Sequence, residues 1–354
     1  MVHNVAFIGF GGMAGHHLTQ SKELTDIIKV KGVYDINPER QAVATEKGLY
    51  VYGSAEEIYS DSEIDIVLVA VPNHLHKDFC INALRAGKHV LCEKPVTITS
   101  EDLLEIMAVA KEEGKIFTID QNRRVNKDFI LMKRNVEAGL LGDVYLIESR
   151  VEGSRGLPKG WRTDKAQGGG MMLDWGVHLI DQIMYMYPDA RVTNIFCKMY
   201  NVNYSEVDDN FHLVLTLSNG VTAYIEVSTN NFIKHPRWYV LGKEGSLEIG
   251  DWDCEGTIVR CKDRQSTWGA EIAKNKVGPS KTMAPRDPDT VDTIHISAPT
   301  DVEDNLNPTY RQMINAIEGK AELTIKPEQA LRVVKVMEAC FESAKTGMAI
   351  NTEI

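Results

Sequence analysis

An acid and a histidine lie four residues apart near the middle of the chain, in the stretch GGGMMLDWGVH (168–178). If this stretch is helical, Asp174 and His178 share one face, because residues i and i+4 are neighbours on a helix. An imidazole titrates near neutral pH and suits a general base, and the carboxylate can orient the ring or hold a hydroxyl. A lone histidine on a helix more often serves packing, so the pair alone leaves both interpretations open.

A lysine in the sequence Glu-Lys-Pro is the second group that could do chemistry. Lys94 precedes a proline at the end of an apolar run, and the proline keeps the backbone before it extended. An ammonium held in this way can stabilise an oxygen that gains negative charge during a reaction. On chemistry alone, an ordinary surface lysine is an equally good explanation.

A glycine-rich turn, GFGGMAG, follows the first apolar run and opens a helical segment. Gly9, Gly11 and Ala14 occupy the three positions of the pattern G-x-G-x-x-G/A, in which a helix N-terminus offers free N–H groups to a pyrophosphate. Asp35 closes the second apolar run, where a carboxylate can bind both ribose hydroxyls and would repel a 2′-phosphate. We therefore expect NAD, with NADP less favoured, although Arg40 is close enough in sequence to complicate this preference.

Further candidates lie at the same edge of the predicted sheet or near the central helix. The other residues that we expect to contact the cofactor are Gly12, Met13, Val71, Pro72, Asn73, His76, Glu93 and Lys94. The expected substrate residues are Lys94, Arg124, Trp161, Arg162, Asp174 and His178, and the catalytic ones are Lys94, Asp174 and His178. Packing roles remain open for three of them: His76 as a cap, Trp161 in a core, and Arg124 as a bridge between domains.

Two patterns of secondary structure must position these residues. Across 1–121, short Val/Ile/Leu runs alternate with helical segments, which is typical of a parallel sheet covered on both faces. From residue 122 onward a helix is followed by long alternating runs, and Asn219-Gly220 is a preferred hairpin turn pair. We predict an α/β Rossmann domain over 1–121 and an α+β domain over 122–354, with an open-faced, mainly antiparallel sheet.

The end of the chain contains a polar stretch and two helices. Residues 262–304 are rich in Pro, Asp, Ser and Thr, and we interpret them as a long excursion. Helices are expected at about 308–318 and 327–346. The predicted sheet has one face without an obvious covering helix, and a bare apolar face usually marks an interface. We therefore expect a homodimer or homotetramer built through that face.

Composition excludes several classes of protein. The net charge is −11 without a run of Lys or Arg, which disfavours nucleic-acid binding. The sequence has no apolar run of about 18 residues or more, and its start lacks the features of a signal peptide. The six cysteines are scattered without a CxxC pair, so we expect reduced thiols in a cytoplasmic protein and no metal site.

The stretches AGKHVLCEKP, PNHLH and GGGMMLDWGVHLID together resemble the Gfo/Idh/MocA oxidoreductase family, across almost the whole chain. The resemblance implies a Rossmann domain joined to an open-faced antiparallel sheet. It also implies oxidation or reduction of a sugar, cyclitol or related compound with NAD(H) or NADP(H). The family's lysine, aspartate and histidine match Lys94, Asp174 and His178. A small polyol, sugar or glycoside is then the expected substrate, with no nucleic-acid or membrane partner.

Two other functions stay open at this point. Some proteins of the family are glycosidases that hold NAD and oxidise their substrate transiently, and the same lysine and histidine would serve them. A non-enzymatic sensor of NAD or sugar is the second alternative, but it predicts a defective Lys–Asp–His set, and this chain keeps all three residues.

Overall fold

The computed structural model describes residues 1–263, 273–274, 278–280 and 285–354. Two large sheets organise these residues, one with six strands and one with nine. The first sheet is parallel and the second is mostly antiparallel, so the predicted fold class is confirmed. The described helices include none with the length and apolarity needed to cross a membrane.

Apolar runs over the first third of the chain form the parallel sheet. Its strands are β1 (His3–Ile8), β2 (Ile28–Tyr34), β3 (Tyr50–Val51), β4 (Ile66–Val69), β5 (His89–Cys92) and β6 (Phe117–Ile119). The helices between them are α1 (Gly12–Ser21), α2 (Pro38–Glu46), α3 (Ala55–Ser60), α4 (His76–Arg85) and α5 (Ser100–Glu112). The strand order is β3-β2-β1-β4-β5-β6, so the order reverses between β1 and β4. Open α/β sheets bind ligands at such a reversal, outside the carboxyl ends of the strands.

The second sheet begins after helix α6 (Lys127–Glu137). Its first strands are β7 (Val144–Glu152), β8 (Val192–Tyr200), β9 (Asn210–Leu217), β10 (Thr222–Ser228), β11 (Trp238–Gly242), β12 (Gly245–Ile249) and β13 (Gly256–Cys261). Helix α7 (Val177–Met186) separates β7 from β8. The hairpin predicted at Asn219-Gly220 joins β9 to β10, and a second one joins β11 to β12. One pair of neighbours, β7 and β10, is parallel.

The remaining elements are two edge strands of the second sheet, a separate pair of short strands and two helices. They are β14 (Ala273–Lys274), β15 (Pro279–Ser280), β16 (Val291–Ile296), α8 (Asn307–Ile317), α9 (Pro327–Thr346) and β17 (Ile350–Asn351). The nine-stranded order is β16-β13-β12-β11-β7-β10-β9-β8-β17. Helix α8 packs Tyr310 and Met313 into the same core cluster as Val5 and Phe7 of β1. The end of the chain therefore covers the first sheet, although it follows the second one in sequence.

The polar stretch 262–304 is not an excursion throughout. Its residues 291–296 form β16 and pair with β13 at the edge of the large sheet, because the short alternation VDTIHI supplies a strand within a polar sequence. Part of the predicted excursion lies outside the described residues.

The open face of the second sheet is mixed rather than apolar, which corrects the sequence-based expectation. The rings of Tyr200, His212 and Tyr224 contact one another across β8, β9 and β10. Beside them, Arg150 forms ion pairs with Glu148 and Glu226. The alternation of strand side chains places polar residues on the side that the helices do not cover.

Candidate active site

A cleft of about 650 Å³ opens at the carboxyl ends of β1, β2, β4 and β5. Most of the residues that the sequence proposed for cofactor and substrate line it. They are Gly9, Gly11, Gly12, Met13, Asp35, Arg40, Val71, Pro72, Asn73, His76, Glu93, Lys94, Trp161, Arg162 and Asp174. Ala14, Arg124 and His178 lie outside the lining of this cleft.

The glycine loop between β1 and α1 has room for a ligand. Gly9 adopts a φ of +90°, and a Cβ there would lie 2.4 Å from the carbonyl oxygen of Ala70. In contrast, Gly11 and Gly12 have no heavy atom within 4 Å of a Cβ position, so the backbone is open there. Ala14 is fully buried in the core below α1, where its small side chain lets the helix pack closely on the sheet. The loop therefore fits a pyrophosphate above the N-terminus of α1.

Asp35 is held in place at the end of β2. Its carboxylate oxygens accept hydrogen bonds from the backbone N–H of Phe10 at 2.6 Å and of Asn37 at 2.8 Å. The carboxylate is thus fixed beside the glycine loop, where an adenosine ribose would approach it. Arg40 is exposed and lines the same end of the cleft, so a cation that could meet a 2′-phosphate is also present.

Lys94, Asp174 and Arg162 form a charged cluster at the other end of the cleft. The Lys94 Nζ lies 3.2 Å from Asp174 Oδ1 and donates to the Asp174 backbone carbonyl at 2.9 Å. The Arg162 Nε donates to Asp174 Oδ2 at 2.7 Å. Burial alone would raise the pKa of the Asp174 carboxyl, but the charges of Lys94 and Arg162 outweigh it and hold the pKa below its ordinary value. A carboxylate therefore orients the Lys94 ammonium.

The backbone around Asp174 differs from the regular helix that the spacing suggested. Met172–Gly176 form a π-helical turn, and the α-helix begins only at Val177. A π turn contains more residues than an α turn, so the i, i+4 rule does not place Asp174 and His178 on one face. Asp174 lines the cleft, whereas His178 lies buried in α7.

The glycines in this stretch make room for neighbouring protein atoms rather than for a ligand. A Cβ on Gly176 would lie 2.7 Å from the Met172 Sδ and 3.3 Å from the Phe211 ring. Cβ atoms on Gly169 and Gly170 would lie 2.6 Å from the Arg162 carbonyl oxygen and 2.2 Å from an Asp208 oxygen. These glycines let the segment pack tightly against its own neighbours.

The His178 side chain is only 3% exposed. Its Nδ1 has no hydrogen-bond partner among the described residues, and its ring centroid lies 5.8 Å from that of Trp175. Burial lowers the pKa of His178 well below its ordinary value, and the positive charges of Lys94, Arg123 and Arg237 lower it further. The imidazole is therefore neutral near pH 7 and has a nitrogen free to accept or donate a proton.

Sequence reasoning gave no chemical role to His17, yet its ring supports the cleft from below. Its Nε2 lies 2.8 Å from a Glu93 oxygen and its Nδ1 2.8 Å from the Tyr310 hydroxyl, while Asp120 is 3.6 Å away. Burial opposes charge on this imidazole, but Tyr310 and the two carboxylates outweigh it and raise the pKa well above its ordinary value. The partners are 76 and 293 residues away in sequence, so no local pattern could reveal the cluster.

Asp208 is another residue that sequence reasoning missed. Its carboxylate accepts a hydrogen bond from the backbone N–H of Met172 at 2.7 Å and so holds the start of the π turn. Burial raises the pKa of Asp208 to about 7, although the backbone donors at Met172 and Met171 partly offset this.

Two other candidates serve structure in this conformation. Arg124 makes two hydrogen bonds to Asp181, at 2.7 and 2.6 Å, and a third to Gln329 at 2.8 Å, so its guanidinium is committed to linking helices. His76 is buried at the start of α4, and its ring nitrogens lie 2.8 Å from the Val71 carbonyl oxygen and 3.0 Å from that of Pro95. It ties together the ends of β4 and β5 beneath the cleft.

Comparison with known proteins gives two family matches. Residues 3–121 match the model of the Gfo/Idh/MocA oxidoreductase family with an NAD-binding Rossmann fold, and residues 129–248 match the Gfo/Idh/MocA C-terminal domain. The crystal structure of an NAD-binding protein from Listeria innocua is similar, with a TM-score of 0.93 and 42% identity over 99% of each chain.

Some of the curated relatives are named for an activity, among them two dehydrogenases. A scyllo-inositol 2-dehydrogenase (NADP⁺) from Bacillus subtilis, IolW, is 29% identical over 84% of this chain and 82% of its own. A D-glucoside 3-dehydrogenase from Escherichia coli is 25% identical over 98% of this chain and 97% of its own.

Proposed function

The chain belongs to the Gfo/Idh/MocA oxidoreductase family, and we propose that it transfers a hydride between NAD and a hydroxyl- or keto-bearing carbon of a sugar, cyclitol or glycoside. One observation carries this proposal. An ammonium held by a buried carboxylate, Lys94 on Asp174, stands at the end of the cofactor cleft, close to the neutral imidazole of His178. These are the groups that the removal of a hydride and a proton from an alcohol requires.

Each residue has a distinct part in the proposed reaction. NAD, when bound, supplies the hydride acceptor. His178 accepts the hydroxyl proton, because an imidazole with a depressed pKa is unprotonated at neutral pH. Lys94 donates a hydrogen bond to the reacting oxygen and stabilises negative charge there as the proton leaves. Asp174 orients the Lys94 ammonium and offers an acceptor for a neighbouring substrate hydroxyl.

His178 does not reach the surface of the cleft in this structure. The proposed proton transfer therefore requires a bound substrate to displace the side chains that cover the ring. Catalytic contacts often tighten only in the complex with substrate, so the burial of His178 in this conformation is compatible with this role. Trp161 and Arg162 belong to the segment that a substrate would displace, since both line the cleft and Arg162 contacts Asp174.

A cleft with this many polar groups suits a polyol better than an apolar alcohol. Named activities of the relatives support this substrate class, because they concern an inositol and a glucoside. The Asp35 carboxylate supports NAD over NADP by charge, although IolW is named for NADP⁺.

A screen of NAD⁺ reduction at 340 nm across inositols, free aldoses and glycosides tests the proposal. We expect NADH to appear in solution in proportion to the substrate added. Hydrolysis of a glycoside without accumulation of NADH would favour transient oxidation by a glycosidase instead. Absence of both reactions across all three classes would contradict the proposed function.

A further inference from the structure

Arg123 is a cation near the proposed active site that forms no ion pair with the described residues. It lies in a short turn after β6, next to Arg124 in sequence. Arg124 is saturated by Asp181 and Gln329, whereas the Arg123 guanidinium makes no hydrogen bond or ion pair within the part of the chain that the structure describes. Arg123 is partly exposed, so a ligand can approach it.

Two tryptophans fix the Arg123 side chain instead. Its guanidinium carbon lies 4.7 Å from the ring centroid of Trp175 and 5.5 Å from that of Trp252. Stacking on ring faces holds a guanidinium plane while its N–H groups remain free to bind a planar anion at the edge. Trp252 is 41% exposed, so this stack reaches the surface.

The stack is continuous with the proposed catalytic residues. Trp175 follows Asp174 directly, and its ring centroid lies 5.8 Å from that of His178. Arg123 is therefore one aromatic ring away from the proposed base. Arg123 and the two tryptophans lie outside the lining of the cleft, so a substrate whose reacting hydroxyl lies at Lys94 would reach Arg123 only with a more distant group that extends beyond this lining.

Two of the three acids near Arg123 are already paired with other groups. Asp128 accepts from the Trp238 indole N–H and pairs with Arg237, and Asp174 pairs with Lys94 and Arg162. Burial lowers the pKa of the Arg123 guanidinium, and Asp128, Asp304 and Asp174 offset this only in part, from beyond ion-pairing distance. Asp304, the third acid, does not approach Arg123 to ion-pairing distance, so a ligand carboxylate would supply the close counter-charge that the described residues do not.

We propose that Arg123, packed against the neighbouring rings of Trp175 and Trp252, binds a carboxylate of the substrate and selects acidic sugars or cyclitols, such as uronates, over neutral ones. The inference rests on the proposed function for the position of the reacting hydroxyl. A carboxylate suits the site better than a phosphate, because one uncompensated guanidinium matches a single negative charge and two acceptor oxygens.

The test compares D-glucuronate with D-glucose on the full-length protein loaded with NAD⁺, by tryptophan fluorescence for binding and by NADH formation for turnover. We expect glucuronate to be favoured by about 10- to 100-fold, the effect of one charge-assisted pair. Arg123→Gln should abolish that preference in binding, and Arg123→Lys should restore only part of it. Arg85→Gln is the matched control. It removes an exposed cation on α4, about 14 Å along the helix from His76, and should leave the binding and turnover of both sugars unchanged.

The outcomes separate this inference from the function on which it rests. Equal or weaker binding of glucuronate than glucose to the wild type overturns the carboxylate site, even if neutral sugars are oxidised. Tighter binding of glucose 6-phosphate than glucuronate also overturns it. Selective binding of glucuronate that depends on Arg123, without any NADH, would uphold the site and contradict the proposed hydride transfer. The wild-type comparison decides the matter even if an Arg123 variant fails to fold.

Discussion

Replacement of His178 by alanine separates a catalytic histidine from a packed one. If His178 accepts the substrate proton, His178→Ala should lower kcat by about 10²- to 10⁴-fold, which corresponds to about 3–5 kcal/mol in the barrier. NAD binding should change little, because the proposed pyrophosphate and ribose contacts lie at Gly9, Gly11 and Asp35, at the other end of the cleft.

The structure also allows the packing cost of this change to be worked out. The His178 ring is buried against Trp175, but its Nδ1 makes no hydrogen bond to the described residues. Its removal therefore leaves mainly a cavity, with a cost of about 2–4 kcal/mol and a fall of several degrees in Tm. Loss of stability alone cannot distinguish the two roles, whereas kcat per folded molecule can.

Leu179→Ala is the matched control, since Leu179 is equally buried in the same helix and has no proposed chemical role. We expect it to lower the Tm by a similar amount and to leave kcat per folded molecule within about threefold. Calorimetry and steady-state rates at saturating NAD⁺ measure both quantities. If His178→Ala behaves like Leu179→Ala, with near-normal turnover, the histidine serves packing and the proposed base is wrong.

The pH profile gives an independent check on the same residue. The pKa of His178 is depressed, so the base is lost only when the pH falls well below the ordinary histidine value. The value of kcat/KM should therefore stay constant around neutral pH and decrease as the pH falls toward the depressed pKa of His178. The decline that belongs to this base should be absent from the residual rate of His178→Ala.

Four further outcomes are expected. The kcat/KM with NAD should exceed that with NADP at least about tenfold, which corresponds to about 1.4 kcal/mol. Asp35→Ser should reduce this difference in kcat/KM. Equal kcat/KM with both cofactors in the wild type would contradict the role proposed for Asp35. Lys94→Ala should lower kcat by a factor comparable to or larger than that of His178→Ala. It should also move the acid limb of the kcat/KM profile to higher pH, because the loss of a positive neighbour raises the pKa of His178. An unshifted acid limb would contradict the electrostatic coupling of Lys94 and His178. The pKa of Asp208 is raised to about 7, so its contribution to stability is present below about pH 4 and is lost as the pH rises through 7. Between pH 4 and 8, the free energy of unfolding of Asp208→Asn should therefore increase by about 1–4 kcal/mol relative to the wild type, as measured by thermal melts. Light scattering at micromolar concentration should show a dimer or tetramer. We expect its interface at the open face of the second sheet, where Arg150, Glu148 and Glu226 carry positive and negative charges that can pair between subunits. A monomer would refute this prediction.

The sequence predicted the secondary-structure elements that depend on patterns of a few neighbouring residues. Alternating apolar runs and helical segments gave the parallel sheet, and the turn pair Asn219-Gly220 gave a hairpin, because each pattern acts over a few residues. β16 escaped prediction, since its six residues lie within a polar stretch and become a strand only by pairing with β13.

The details of the candidate site depend on contacts between distant residues. The stretch around Asp174 reads as a regular helix, but its turn is π-helical and is tied at Met172 by Asp208, 36 residues further on. Glycines at 169, 170 and 176 suggest space for a ligand, yet only the folded chain shows that Arg162, Asp208 and Met172 occupy that space. Residue types therefore indicated the right segment, while side-chain directions required the tertiary structure.

Burial gives four titratable residues near the cleft different charge states, because their neighbours differ. Asp174 is buried beside two cations and stays ionised, whereas His178 is buried among three cations and stays neutral. His17 is buried against two carboxylates and becomes charged, while Asp208 is buried with backbone N–H donors as its hydrogen-bond partners among the described residues, and its pKa is raised to about 7. A site can hold an acid and a base side by side when their surroundings shift the pKa values of the two groups in opposite directions. Lys94 connects the first two of these residues, because its charge lowers the pKa of both Asp174 and His178; in the proposed reaction this leaves the imidazole unprotonated and ready to accept the proton of a substrate hydroxyl.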